Sequence, residues 1–137
     1  MRIYQHRSRR QGFTLVEIMI VVALLLLISA LAIPNFLRAR KRAQATRILD
    51  DLRLIDGALD LYAMENSKSA GETAQWADLQ PYLKKNMMLY NSGGLDLLGN
   101  PFNSGTFSVD APPKLNPTSF ASLSDVAPDE FWSPFSP

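Results

Sequence analysis

From Ile18 to Leu37 the chain carries no charged side chain, and a single carboxylate, Glu17, stands immediately ahead of that run. Twenty residues of helix at 1.5 Å each span about 30 Å, one bilayer hydrocarbon core. An ionisable group in such a segment costs roughly 2.5–3.5 kcal/mol at a helix centre on insertion scales, so it has a partner and a role. Ahead of the run lies a basic leader, Met1–Gly12, with Arg2, Arg7, Arg9 and Arg10 and no acid.

Leader and apolar run meet at Gly12-Phe13-Thr14-Leu15-Val16-Glu17. This string resembles the processing signal of type IV pilins and of the pseudopilins of type II secretion. The resemblance implies that a prepilin peptidase cuts between Gly12 and Phe13 and that Phe13 is then N-methylated. Glu17 becomes the fifth residue of the mature chain, where the family uses it in assembly. Plainer readings compete. A basic region, an apolar region and Ala30-Leu31-Ala32 could form an ordinary secretory signal cut after Ala32. Arg9-Arg10 hints at a twin-arginine signal, although Phe13 falls one place late. Glu17 inside the apolar region, and a run longer than the usual 7–15 residues, argue against both. The chain has no Cys, which excludes a lipoprotein anchor, disulfides and thiolate metal sites.

The net charge of +1 hides an asymmetry. Removal of the leader takes away four of the fourteen basic residues and none of the thirteen acids. From Leu54 onward there are four Lys against ten Asp or Glu, which makes nucleic-acid binding by that part an electrostatically poor prospect. Basic residues also follow the apolar run, at Arg38, Arg40, Lys41 and Arg42, so the positive-inside rule returns a near tie. A cytoplasmic leader is what the resemblance implies, because the family's peptidase acts from that side.

Pro34 cannot donate to the Ala30 carbonyl and its ring crowds that group, so a kink or local melting is expected there. A proline near this position is also a feature of many type IV pilins. Regular amphipathic spacing resumes afterwards: Ala45, Ile48, Leu52, Ile55, Leu59 and Tyr62 mark one apolar helix face. Arg47, Asp50, Asp51, Arg53, Asp56 and Asp60 occupy the polar side, with Arg47 to Asp51 a favourable pair and Asp56 to Asp60 a like-charge one. A single helix from about Thr14 to Met64 would run about 75 Å. The alternative is two helices divided at Pro34.

Past Gly71, Thr73 reads as the N-cap of a short helix with Trp76, Leu79 and Leu83 on one face. Pro81 strains its second turn, and Lys84-Lys85 suit its C-terminus. Asn91-Ser92-Gly93-Gly94 reads as a turn, followed by short strands around Leu95–Leu98 and Thr106–Val109. The intervening Gly99-Asn100-Pro101-Phe102 resembles a loop of major pseudopilins, although Gly-Asn-Pro is ordinary turn chemistry. The tail Ala111–Pro137 is rich in Pro and Ser but retains Phe120, Leu123, Phe131, Trp132 and Phe135, so it is expected to pack as an ordered wrap. Major pseudopilins hold calcium near their C-terminus. Here Asp125, Asp129 and Glu130 match no EF-hand spacing and read as solvated acids, so no metal or other cofactor is expected.

No catalytic constellation appears: the single His, His6, lies in the leader, and there is no phosphate loop or nucleophile elbow. The expected fold is α+β, with a long N-terminal helix whose second half packs on a small antiparallel sheet with irregular C-terminal loops. The expected parts are a leader, 1–12; a transmembrane or filament-core helix, 13–37; and a helix continuation with a globular head, 38–137. The resemblance implies a non-enzymatic pilin or pseudopilin of the bacterial inner membrane, crossing once with its head outside the cytoplasm. It would polymerise with itself, with minor pilins as companions, in the periplasm or at the cell surface. Its partners would be prepilin peptidase, an assembly platform and an ATPase. The competing reading is an anchored or secreted binding protein that never polymerises.

Overall fold

The computed structural model describes residues 12–137. The chain divides into two units, Met1–Leu37 and Arg38–Pro137, and one helix, α1 (Leu15–Glu65), contributes to both. Its boundaries fall within a residue of the expected single helix. α1 continues through Pro34 without interruption, so the expected local melting and the two-helix alternative are not seen. One proline removes a single ladder bond, and the strong helix formers on both sides hold the rest.

In the first unit, the large apolar residues between Ile18 and Leu37 are 47% to 69% exposed, with none of the described residues covering them. Ser29, the hydroxyl within this run, donates to the Leu25 carbonyl at 2.7 Å, which satisfies it inside its own helix.

The second unit is built on the other half of α1. Ala45, Ile48, Leu52, Ile55 and Leu59 are buried as their spacing requires, Leu49 and Ala58 widen the stripe, and Tyr62 packs at its edge. Asp51 departs from its expected place on the polar side: it is buried at the margin of the stripe, with Arg47 one turn away at 3.4 Å. Burial holds its carboxyl above the ordinary 3.8, against the lowering pull of Arg47.

Two strands, β1 (Thr73–Gln75) and β2 (Thr106–Ser108), pair antiparallel with Ala74 opposite Phe107. A two-stranded ribbon is marginal by itself. This one is held because Ala74 and Phe107 are both buried in the core with the α1 stripe, and because Val109 and Gly71 extend the bonding past the strand ends. Thr73 is therefore a strand residue and not a helix cap. The helix begins later, at α2 (Trp76–Leu79), where the Gln75 amide donates to the Asp78 carboxylate at 2.9 Å. Pro81 lies in a tight 3-10 turn, Gln80–Tyr82, which ends in extended backbone at Leu83, so Lys84-Lys85 do not terminate a helix. A further turn of helix, α3 (Met88–Asn91), leads into Gly93 and Gly94. Gly94 has φ +83°, and a Cβ there would stand 3.1 Å from the Trp76 ring, so this turn admits glycine alone.

Leu95–Leu98 does not form the expected strand; only one bridge, Leu95 to Pro101, is made. Asp96 is the reason. Its buried carboxylate accepts from the Leu98 and Asn100 amides at 2.9 Å each, and this local capture curls the backbone away from a ladder. The remaining strand candidate, Thr106–Val109, is present as β2, preceded by a turn at Phe102–Gly105.

The tail packs as an ordered wrap. It folds into α4 (Pro117–Leu123), capped by Asn116, and α5 (Asp129–Trp132). Trp132 is wholly buried, donates its indole N–H to the Ala127 carbonyl at 3.1 Å, and meets Phe131 edge-to-face. Phe135 is buried as well, and its carbonyl accepts from the Leu115 amide at 2.9 Å.

Candidate functional site

Of the residues singled out for processing and assembly, Gly12, Phe13, Glu17 and Pro34 lie among those described, and the leader arginines and His6 lie outside them. Gly12 and Phe13 precede α1 in non-helical backbone, and a Cβ at Gly12 would touch nothing within 4 Å. Phe13 is 80% exposed. The Gly12–Phe13 peptide bond is therefore open, with no side chain at Gly12 to obstruct approach to it.

Thr14 starts the helix. Its hydroxyl oxygen accepts from the Glu17 amide at 3.2 Å, and its carbonyl accepts from the Ile18 amide at 3.3 Å. Thr14-x-x-Glu17 thus has the spacing of a capping box, and the carboxylate stands in the first turn, where it opposes the positive end of the helix dipole. That local role explains a carboxylate at a helix start. It does not explain one at the head of a membrane-length run.

Glu17 is exposed, and so are its apolar neighbours. The chain supplies no cation to Glu17 among the described residues. Phe13 lies four residues before Glu17, one helical turn by spacing. Pro34 sits in the same uncovered stretch.

These features coincide with a match to the family model described as the prokaryotic N-terminal methylation motif, over residues 7–33. The chain also matches the type II secretion system core protein G of several bacteria. It is 38% identical to that of Klebsiella pneumoniae over 61 residues, 44% of each chain. With that of Pseudomonas aeruginosa it shares 38% over 60 residues, 44% of this chain and 42% of the relative. The match to that of Aeromonas hydrophila is longer, 29% identical over 105 residues, 70% of this chain and 73% of the relative.

These matches make the chain similar to the type IV pilin and pseudopilin family. The chain spans less than half the length of the Klebsiella pneumoniae and Pseudomonas aeruginosa proteins, 44% and 42%. No solved structure matches the chain. A long helix leading into a small α+β head is the architecture that the family resemblance called for.

Two features of the head escaped sequence reasoning. The first is a cluster of buried Asp96 and Ser119 with the half-buried Asn100. Ser119 on α4 donates to Asp96, and Asn100 donates to the Ser119 hydroxyl at 2.8 Å. The Gly99-Asn100-Pro101-Phe102 string was its visible trace. The second is Lys41, which donates to both oxygens of Asp125 at 2.9 and 3.1 Å across 84 residues of sequence. Asp125, weighed as a calcium ligand, is thus engaged by an ammonium group. Asp129 and Glu130 open α5, where they favour the helix start. Among the described residues no group of three or more His, Asp or Glu is placed to hold a metal.

Proposed function

We propose that this chain is the filament subunit of a type II secretion pseudopilus. It is inserted in the inner membrane by Ile18–Leu37 with its head outside the cytoplasm, cut between Gly12 and Phe13, and N-methylated on Phe13. It then polymerises through the first half of α1. The observation that carries this reading is the uncovered apolar surface of α1, which begins directly at the processing motif. Exposed apolar area on this scale marks a membrane or protein interface. A pilin-type subunit has need of both in turn, lipid before assembly and neighbouring helices after it.

Glu17 is the assembly residue in this account. Once lipid or neighbouring helices surround it, its carboxylate pairs with the Phe13 amine of an adjacent subunit, which sets the axial register. Pro34 gives the helix a weak point at which it kinks when the subunit leaves the bilayer. The partners are further copies of the chain and minor pilins, prepilin peptidase, and an inner-membrane platform with its ATPase. The relatives bear the name of a type II secretion core protein, which favours a secretion pseudopilus over a surface pilus or a DNA-uptake fibre. The subunit's task is mechanical, with no chemistry of its own and no cofactor.

Intact mass of the protein purified from membranes tests the reading. A chain beginning at methylated Phe13, and an uncut chain for Gly12→Val, are expected. A mature chain beginning at Ile33 would show ordinary signal cleavage, and an uncut leader would favour an anchored binding protein.

A further inference from the structure

Arg38, Arg40, Lys41 and Arg42 follow the apolar run directly, with no acid among them. At 100° per residue they point around the helix, Arg38 and Arg42 on one side and Arg40 on the other. A protein neighbour would touch one side of such a collar, whereas a layer of lipid headgroups surrounds it. The spacing along the axis fits as well. Arg42 lies five residues past Leu37, about 7.5 Å along a helix. A bilayer of about 30 Å hydrocarbon and 40–45 Å total thickness leaves roughly 5–7.5 Å of headgroup on each side.

The charges of the collar are unequally satisfied. Lys41 is taken by Asp125, and no ion pair is made by Arg38, Arg40 or Arg42 among the described residues. Arg38 and Arg42 line an open hollow of about 410 Å³ with Ala39, Val126 and Asp125, whose carboxylate is already neutralised by Lys41. Guanidinium groups match phosphate oxygens in a planar fork, and all three free positions are arginine.

We infer that Arg38, Arg40 and Arg42 form an anionic-phospholipid collar that holds the subunit's head at the outer leaflet of the inner membrane until it is drawn into the filament. This rests on the membrane insertion of Ile18–Leu37 proposed above. The occupant is a lipid surface bearing phosphodiester charge, such as phosphatidylglycerol. Attraction of this kind compensates the basic residues for lying on the side that the positive-inside rule disfavours.

The full chain placed in nanodiscs of phosphatidylcholine with one-fifth phosphatidylglycerol, then released for native mass spectrometry, tests this. Phosphatidylglycerol is expected to be retained in preference to phosphatidylcholine. Arg38→Gln/Arg40→Gln/Arg42→Gln should lose roughly tenfold or more of that preference, because three basic groups leave the anionic surface. The corresponding triple Lys variant should keep much of it, and Lys84→Gln/Lys85→Gln/Lys114→Gln should keep all of it. Unchanged preference in the Arg→Gln variant would overturn the inference. So would an equal loss in the head-lysine variant, which would reduce the effect to net charge. Failure of the chain to enter discs with or without phosphatidylglycerol would instead overturn the membrane reading, and the collar with it.

Discussion

Ser119, wholly buried on α4, donates its hydroxyl to the carboxylate of Asp96, and so fastens the loop before β2 to the C-terminal wrap. Asp96 in turn accepts two loop amides, so a single buried carboxylate fixes the path of Leu95–Pro101. Removing one partner leaves a buried acceptor without its donor, which costs about 1–3 kcal/mol. Ser119→Ala should lower the stability of the head by that amount, and Asp96→Ala by more, in denaturant titrations of the full chain in detergent. An unchanged midpoint for Ser119→Ala would show that the loop holds its own shape.

Trp132 makes the tail part of the core. It is wholly buried, and truncating such a ring costs about 3–5 kcal/mol. Trp132→Ala should shift the unfolding midpoint accordingly, with Trp76 left as the fluorescent reporter. Deleting Ala111–Pro137 should abolish cooperative melting. Cooperative melting that survives the deletion would make the tail a loose appendage.

Asp51 gives the head a pH dependence of definite sign. Burial disfavours its ionised form in the folded state, so the folded pKa lies above the unfolded 3.8. The folded state therefore holds this proton to higher pH. The contribution of Asp51 to stability is greatest below the unfolded value and falls as pH rises through the folded one. The stability of the wild type relative to Asp51→Asn should decline as pH rises above about 4. A rise over that range would mean that the Arg47 pair outweighs desolvation.

The long elements of this fold are legible in the residues and the short ones are not. The stripe from Ala45 to Leu59 repeats at helical spacing over four turns, so each turn reinforces the assignment, and the observed burial follows it. The charge-free run at Ile18–Leu37 and the string at Gly12–Glu17 are equally local. β1 is three residues long and pairs with a segment more than thirty residues away, and Thr73-Ala74-Gln75 carries no alternation to announce it. Leu95–Leu98 misleads because three leucines suggest a strand while Asp96 folds the backbone on itself. Asp51 and Lys41 show the same limit for charge. Spacing gives Arg47 as the partner of Asp51, but the burial of Asp51 and the partner of Lys41 depend on where α1 meets the rest of the head, which helical spacing alone does not reveal.

Filament yield with and without Glu17 tests the central claim most directly. Removing one member of a buried ion pair leaves the other unpaired at a cost of about 3–5 kcal/mol, repeated at every subunit of a polymer. In cells expressing the chain with its assembly machinery, the wild type should form helical filaments recoverable by sedimentation after the cell envelope is opened. Glu17→Ala should be inserted and cut after Gly12 yet remain in the membrane fraction. Wild-type filament yield from Glu17→Ala would contradict the register role of Glu17, and a wild type that is cut and methylated but never polymerises would contradict the account as a whole.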